Sequence, residues 1–126
     1  MHTKIESIPT EVSNDEMVLR EMHLGNMNVG YETFSAHVET DEMFKDLPDG
    51  RCQSSHWGFL IEGQMTLRFE DEEEVVEAGE VYYIKPGHNV TIEAGTKLVE
   101  FSPLDESYED TLEAASEGVK KMEASD

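Results

Sequence analysis

"HWGFLIEGQMTLRFEDEEEVVEAGEVYYIKPGHNV" runs from His56 to Val90 and decides the fold. Short apolar runs alternate with polar residues and are punctuated by turn signals. "HWGFLI" and "QMTLRF" flank Glu62-Gly63, a tight hairpin signal in which Gly63 can take a positive φ. Five successive acids, Glu70–Glu74, repel one another and predict a solvated hairpin tip. "VVEAGEVYYI" turns at Gly79, and Lys85-Pro86-Gly87 breaks the strand that follows. Downstream, "NVTIEA" and "TKLVEFSP" read as two more strands divided by Ala94-Gly95. Strands recurring at roughly 8–12-residue spacing predict an all-β sandwich or closed barrel.

The flanks are less regular. Residues 1–16 are polar, carry Pro9 and read as a loose lead-in. "MVLREMHL" (Met17–Leu24) alternates weakly, which predicts an edge strand. "VGYETFSAHV" places Val29, Tyr31 and Thr33 on one face and Gly30, Glu32 and Phe34 on the other. "DEMFKDLPDG" is a loop ending in a turn at Pro48-Asp49-Gly50. The C-terminal stretch changes period. Tyr108, Leu112, Ala115, Val119 and Met122 form one helical stripe, Ser107 stands at the N-cap, and lysines lie late. These readings divide the chain into an N-terminal lead-in and edge strand (1–28), a barrel (29–104) and a short helix (105–126) that packs on the barrel or on a partner subunit.

Composition narrows the function. A chain of 126 residues favours one domain. Nine basic residues face 29 acidic ones, for a net charge of −20. Such a surface repels phosphate backbones and anionic head groups, so neither nucleic acid nor membrane is an expected partner. A single cysteine, Cys52, excludes an internal disulfide framework and fits a reducing compartment. "MHTKIESIPTEV" lacks the apolar core of a signal peptide, and no apolar run approaches the ~20 residues of a membrane helix. The expectation is a cytoplasmic protein. Among the described motifs there is no glycine-rich phosphate loop, hence no expected nucleotide cofactor, and no serine-nucleophile motif that would assign a catalytic residue.

"HWGFLIEG", "EAGEVYYIKPGHNV" and "VEFSP" together resemble a small single-domain cupin, an antiparallel β-barrel or jelly roll. "LPDGRCQ", "HWG" and "PGH" add a resemblance to an uncharacterised subgroup of small cupins. The clear match covers about residues 50–103. Cupins carry a first motif, G-x5-H-x-H-x3,4-E-x6-G, and a second, G-x5-P-x-G-x2-H, whose histidines and glutamate hold a metal. His56-Trp57-Gly58 looks at first like a broken H-x-H with Glu62 behind it. Counting back from Gly63 gives another register. His56 then occupies the glutamate slot, Cys52 the second histidine slot and Gly50 the first. In the second motif Gly79 opens, Lys85 takes the proline slot and Gly87 the later glycine. The histidine slot falls on Val90, with His88 two residues earlier. None of the four usual ligands keeps its own slot, and two slots hold other ligand types.

The altered set predicts a modified metal site. Along one straight strand Cys52 and His56 would stand about 13 Å apart, so a chain reversal at "QSS" must bring them together. His88 shares parity with Val90 and can face the same interior. A thiolate and two imidazoles with an open position suit Zn²⁺, with Fe, Cu or Mn as alternatives. Glu100 and, less favourably, Glu62 are candidates for a fourth ligand. Each residue also has a plainer reading. Cys52 is a small apolar side chain, His56 a hydrogen-bonded core histidine, and His88 a loop residue. Trp57 is expected in the core or at a subunit interface, and one of Tyr82 and Tyr83 in the pocket. The resemblance thus implies a barrel pocket that binds a divalent metal and a small organic molecule, as an enzyme or as a metal-free binding and sensing protein. The expected assembly is a homodimer.

Overall fold

The computed structural model describes residues 1–105, so the helix expected over 105–126 falls, but for Asp105, outside the described residues. The described residues form ten strands: β1 (Thr10–Ser13), β2 (Met17–Leu24), β3 (Met27–Phe34), β4 (Val38–Glu39), β5 (His56–Glu62), β6 (Gln64–Arg68), β7 (Glu73–Glu77), β8 (Val81–Ile84), β9 (Asn89–Ile92) and β10 (Lys97–Pro103). They build two antiparallel sheets, one ordered β1-β2-β3-β10-β5-β8 and the other β4-β9-β6-β7. The all-β expectation holds.

Two local readings are corrected. Thr10–Ser13 is not loose; it pairs with β2 and takes the sheet edge, leaving β2 paired along its whole length with β3. Its four residues offer no apolar alternation, so the pairing partner and not the local pattern makes the strand. Glu62-Gly63 is not a hairpin between paired strands. It carries the chain from β5 in the larger sheet to β6 in the smaller one. Gly63 has φ 88°, and a Cβ there would meet Thr96 Oγ1 at 2.3 Å. Thr96 holds the crossing by accepting from the Gln64 amide at 3.2 Å and donating to the Gln64 carbonyl at 3.1 Å. The acid run behaves as expected, since Glu70–Glu74 are all exposed around the β6–β7 turn.

The sheets face each other across one core that includes Phe34, Leu60, Met65, Leu67, Ile84, Ile92 and Leu98. Leu60, Leu67 and Leu98 are fully buried, each contributing about 1.5–3 kcal/mol from removal of apolar surface from water. Strand alternation decides what else enters. On β5, His56, Gly58 and Leu60 face inward, which sends Trp57 and Phe59 outward. Trp57 is therefore not a core residue: it is 45% exposed and packs against Tyr83, ring centroids 5.0 Å apart.

Candidate metal centre and inner cavity

Three donors converge where the two sheets come together. Cys52 lies before β5 and forms an isolated antiparallel bridge with His88, just ahead of β9. Its amide donates to the His88 carbonyl at 2.9 Å, while the amides of Gly87 and His88 donate to the Cys52 carbonyl at 2.8 and 3.2 Å. This main-chain bridge, together with the return of the chain through "QSS" into β5, joins Cys52 to the other two. One ligand atom each from Cys52, His56 and His88 lies within 4.8 Å of the others.

Both imidazoles are arranged to present a lone pair. His88 Nδ1 donates to the Lys85 carbonyl at 2.8 Å. A carbonyl only accepts, so the proton sits on Nδ1 and Nε2 keeps its lone pair. His56 Nε2 is 3.4 Å from Cys52 Sγ, and its Nδ1 lies 2.6 Å from Ser102 Oγ and 3.6 Å from Glu100 Oε2. A carboxylate beside Nδ1 favours the proton there and turns the Nε2 lone pair toward the thiol. Burial pushes His56 down to about 4, and burial reinforced by the neighbouring His56 does the same to His88. Both rings are neutral near pH 7, the form that ligates a metal. The donor set therefore fits a divalent ion.

The other predicted residues fall in different places. Glu100 faces the back of His56 and accepts from the Tyr82 hydroxyl at 2.9 Å, and the three-donor group does not include it. Glu62 is exposed and lies 3.7 Å from Lys97. Val90, in the expected histidine slot, is a buried wall residue beside His88. Of the two tyrosines, Tyr82 turns inward and Tyr83 outward.

His56 and His88 line a cavity of about 120 Å³ between the sheets; Cys52, 0% exposed, lies behind them. Much of the wall is apolar, with Met17, Leu19, Phe44, Met65 and Ile92 among it. A polar row crosses the inner face of the larger sheet. Tyr82 lies opposite Gly58, Gly58 opposite Glu100, Glu100 opposite Gly30, and Gly30 opposite Glu21. Gly58 makes the row possible, because a Cβ there would stand 2.4 Å from the Tyr82 ring. Burial, then repulsion from Glu100 and Glu21, raises the Glu32 carboxyl well above its ordinary value. Burial raises Glu100 as well, against the opposing hydrogen bond from Tyr82. Burial and the two glutamates in turn raise the Tyr82 phenol.

No family model matches this chain, and no curated protein matches it. Solved structures do. An RmlC-like cupin from Shewanella frigidimarina aligns over 84% of this chain and 93% of its own, with a TM-score of 0.58 and 16% identity. This chain has a cupin fold. The polyketide cyclase RemF from Streptomyces resistomycificus matches the same cupin barrel at a TM-score of 0.60 and 14% identity, over 83% of this chain and 80% of its own. A structure described as FeII HppE matches at 0.57 and 9% identity, over 81% and 59%. At these identities the likeness establishes the fold and leaves the activity to the site.

Five polar residues of this pocket went unassigned from sequence: Glu21, Asn28, Glu32, Thr40 and Ser102. Strand parity held a signal for two of them. Glu32 shares parity with Phe34, which is buried, and Ser102 shares parity with Glu100.

Proposed function

We propose that this protein binds a divalent metal through Cys52, His56 and His88 and a small organic ligand in the adjoining cavity. The convergence of the three donor atoms carries the reading. A thiolate with two neutral imidazoles favours Zn²⁺ and admits Fe, Cu or Mn. When bound, such an ion supplies Lewis acidity to a ligand reaching it from the cavity. Ser102 and Glu100 hold the far nitrogen of His56, and the Lys85 carbonyl does this for His88. A fold shared with a structure described as FeII HppE supports a metal in such a barrel. Metal analysis of the full chain purified without an affinity tag tests the reading. About one ion per chain is expected, lost in His56→Ala and in His88→Ala; full retention in both variants would overturn it.

A second reading, a metal-free pocket that binds a small molecule without catalysis, is favoured by one observation. Cys52 Sγ and His56 Nε2 already contact each other at 3.4 Å in a fully buried setting. It expects no metal after dialysis and a higher Tm with a small organic ligand.

Pairing of two copies is proposed to use the outer face of β10, β5 and β8. Trp57 stands opposite Tyr83 and Phe101, and Phe59 opposite Val81, all exposed. These five side chains carry no formal charge on a chain of net charge −20, so copies meeting there bring no acids face to face. Sedimentation velocity is expected to give a dimer for the natural chain and a monomer for Trp57→Ser/Phe101→Ser. A monomeric natural chain would remove the proposal.

A further inference from the structure

The cavity has two chemically different regions, which meet at Glu100, 3.6 Å from His56 Nδ1. One is the Cys52, His56 and His88 group. In the other, Gly30 lies between Glu21 and Glu100 in the sheet, and Glu32 folds over it: a Cβ at Gly30 would come within 3.5 Å of Glu32 Oε2. Glu21, Glu32 and Glu100 all line the cavity, and among the described residues no lysine or arginine does. Within the described residues the Glu32 carboxylate accepts no hydrogen bond. A further group points to a ligand independently of the acids. Asn28 is 4% exposed and lines the cavity, and its side-chain amide makes no hydrogen bond to any described residue. A side-chain amide without a protein partner that faces a cavity is available to whatever enters.

We propose that the cavity takes a small organic ammonium, its charge set among Glu32, Glu21 and Glu100 and its neighbouring polar group met by the Asn28 amide. This deepens the small-ligand part of the proposed function and rests on it. An ammonium fits better than a second metal ion. Ligands of one ion need donor atoms only about 3–4 Å apart. Among the described residues only Cys52, His56 and His88 bring three such atoms within 4.8 Å of one another; the three glutamates do not. The surrounding wall of Met17, Leu19, Phe34 and Leu98 suits methylene groups rather than a hydrated cation. Burial, then repulsion from Glu100 and Glu21, holds the Glu32 carboxyl up, so an entering cation favours its ionised form.

The test is calorimetric titration of the full, tag-free chain at pH 7.5 with three probes of similar size: n-butylamine, n-butanol and butyrate. Butylamine is expected to bind roughly tenfold or more tightly than the other two, and Glu32→Gln to weaken it by a similar factor. Equal binding of the three probes, no binding of butylamine, or unchanged butylamine affinity in a folded Glu32→Gln would overturn the inference. If Glu32→Gln does not fold, the probe series on the natural chain decides. A second equivalent of Mn²⁺ that disappears in Glu32→Gln would instead make this region a metal site, also overturning the ammonium. Metal content of the same samples keeps the two readings apart. Loss of butylamine selectivity with metal retained refutes the ammonium alone.

Discussion

The two sheets face the same interior and fill it differently. The smaller sheet contributes Met65, Leu67, Val76, Val90 and Ile92, a purely apolar face. The larger contributes apolar residues too, but also His56, Tyr82, Glu100, Ser102, Asn28, Glu32 and Glu21. One layer supplies adhesion, and the other exchanges part of its adhesion for chemistry. Buried polar groups without full partners lower stability, so they persist where they do something else. The same division separates the residues that should matter to folding from those that should matter to ligands.

The largest effect is expected where the apolar sheet is cut. Leu67→Ala should cost about 2–5 kcal/mol in urea unfolding, because a fully buried side chain leaves a cavity. A loss well below that range would mean that the smaller sheet repacks and the contrast between layers is weaker than drawn. Gly58→Ala comes next. Its Cβ would stand 2.4 Å from the Tyr82 ring, so the ring must move, at about 1–3 kcal/mol for overpacking. The tyrosine near-ultraviolet signal should change with it; an unchanged signal and midpoint would show that the row tolerates a side chain at its floor.

The smallest effect has the opposite sign. Glu32 has a folded pKa raised above its unfolded value, so its contribution is most favourable below the unfolded value of about 4.5 and is lost as pH rises through the folded pKa. Glu32→Gln removes that loss. The variant should be more stable than the natural chain at pH 8, and the gap should close as pH falls toward 4.5. The groups facing Glu32 are Glu100 and Glu21, with the Tyr82 hydroxyl bonded to Glu100, and none is a cation. His56 and His88 work the other way: lowered from 6.5 to about 4, they make both proteins lose stability as pH falls through that window. A Glu32→Gln gap that is constant with pH would refute the cause assigned to it.

The sequence made strand content legible and layer assignment illegible. From Gln64 to Ile84 the alternation matches the strands, because each has one buried face and polar turns. Glu62-Gly63 misled because a glycine turn looks the same whether it joins paired strands or crosses between sheets; only the partners of β5 and β6 tell them apart. For Trp57 the core alternative fails because its parity is opposite to that of Leu60, and the subunit-interface alternative is the one proposed above. In the site, Cys52, His56 and His88 were singled out by laying the cupin motifs onto the turn glycines, which needs only the local sequence. Asn28 and Ser102 face each other from strands some seventy residues apart in the chain, a relation that only sheet register creates.

The bridge at Cys52 has a consequence for how the donor set can vary. Its position is held by main-chain hydrogen bonds to Gly87 and His88, so the frame does not depend on what the side chain is. Position 52 is in that sense a socket. A thiol or a hydroxyl of similar size can be mounted there on the same main-chain frame, and the donor offered to His56 and His88 then becomes a matter of one exchangeable fitting.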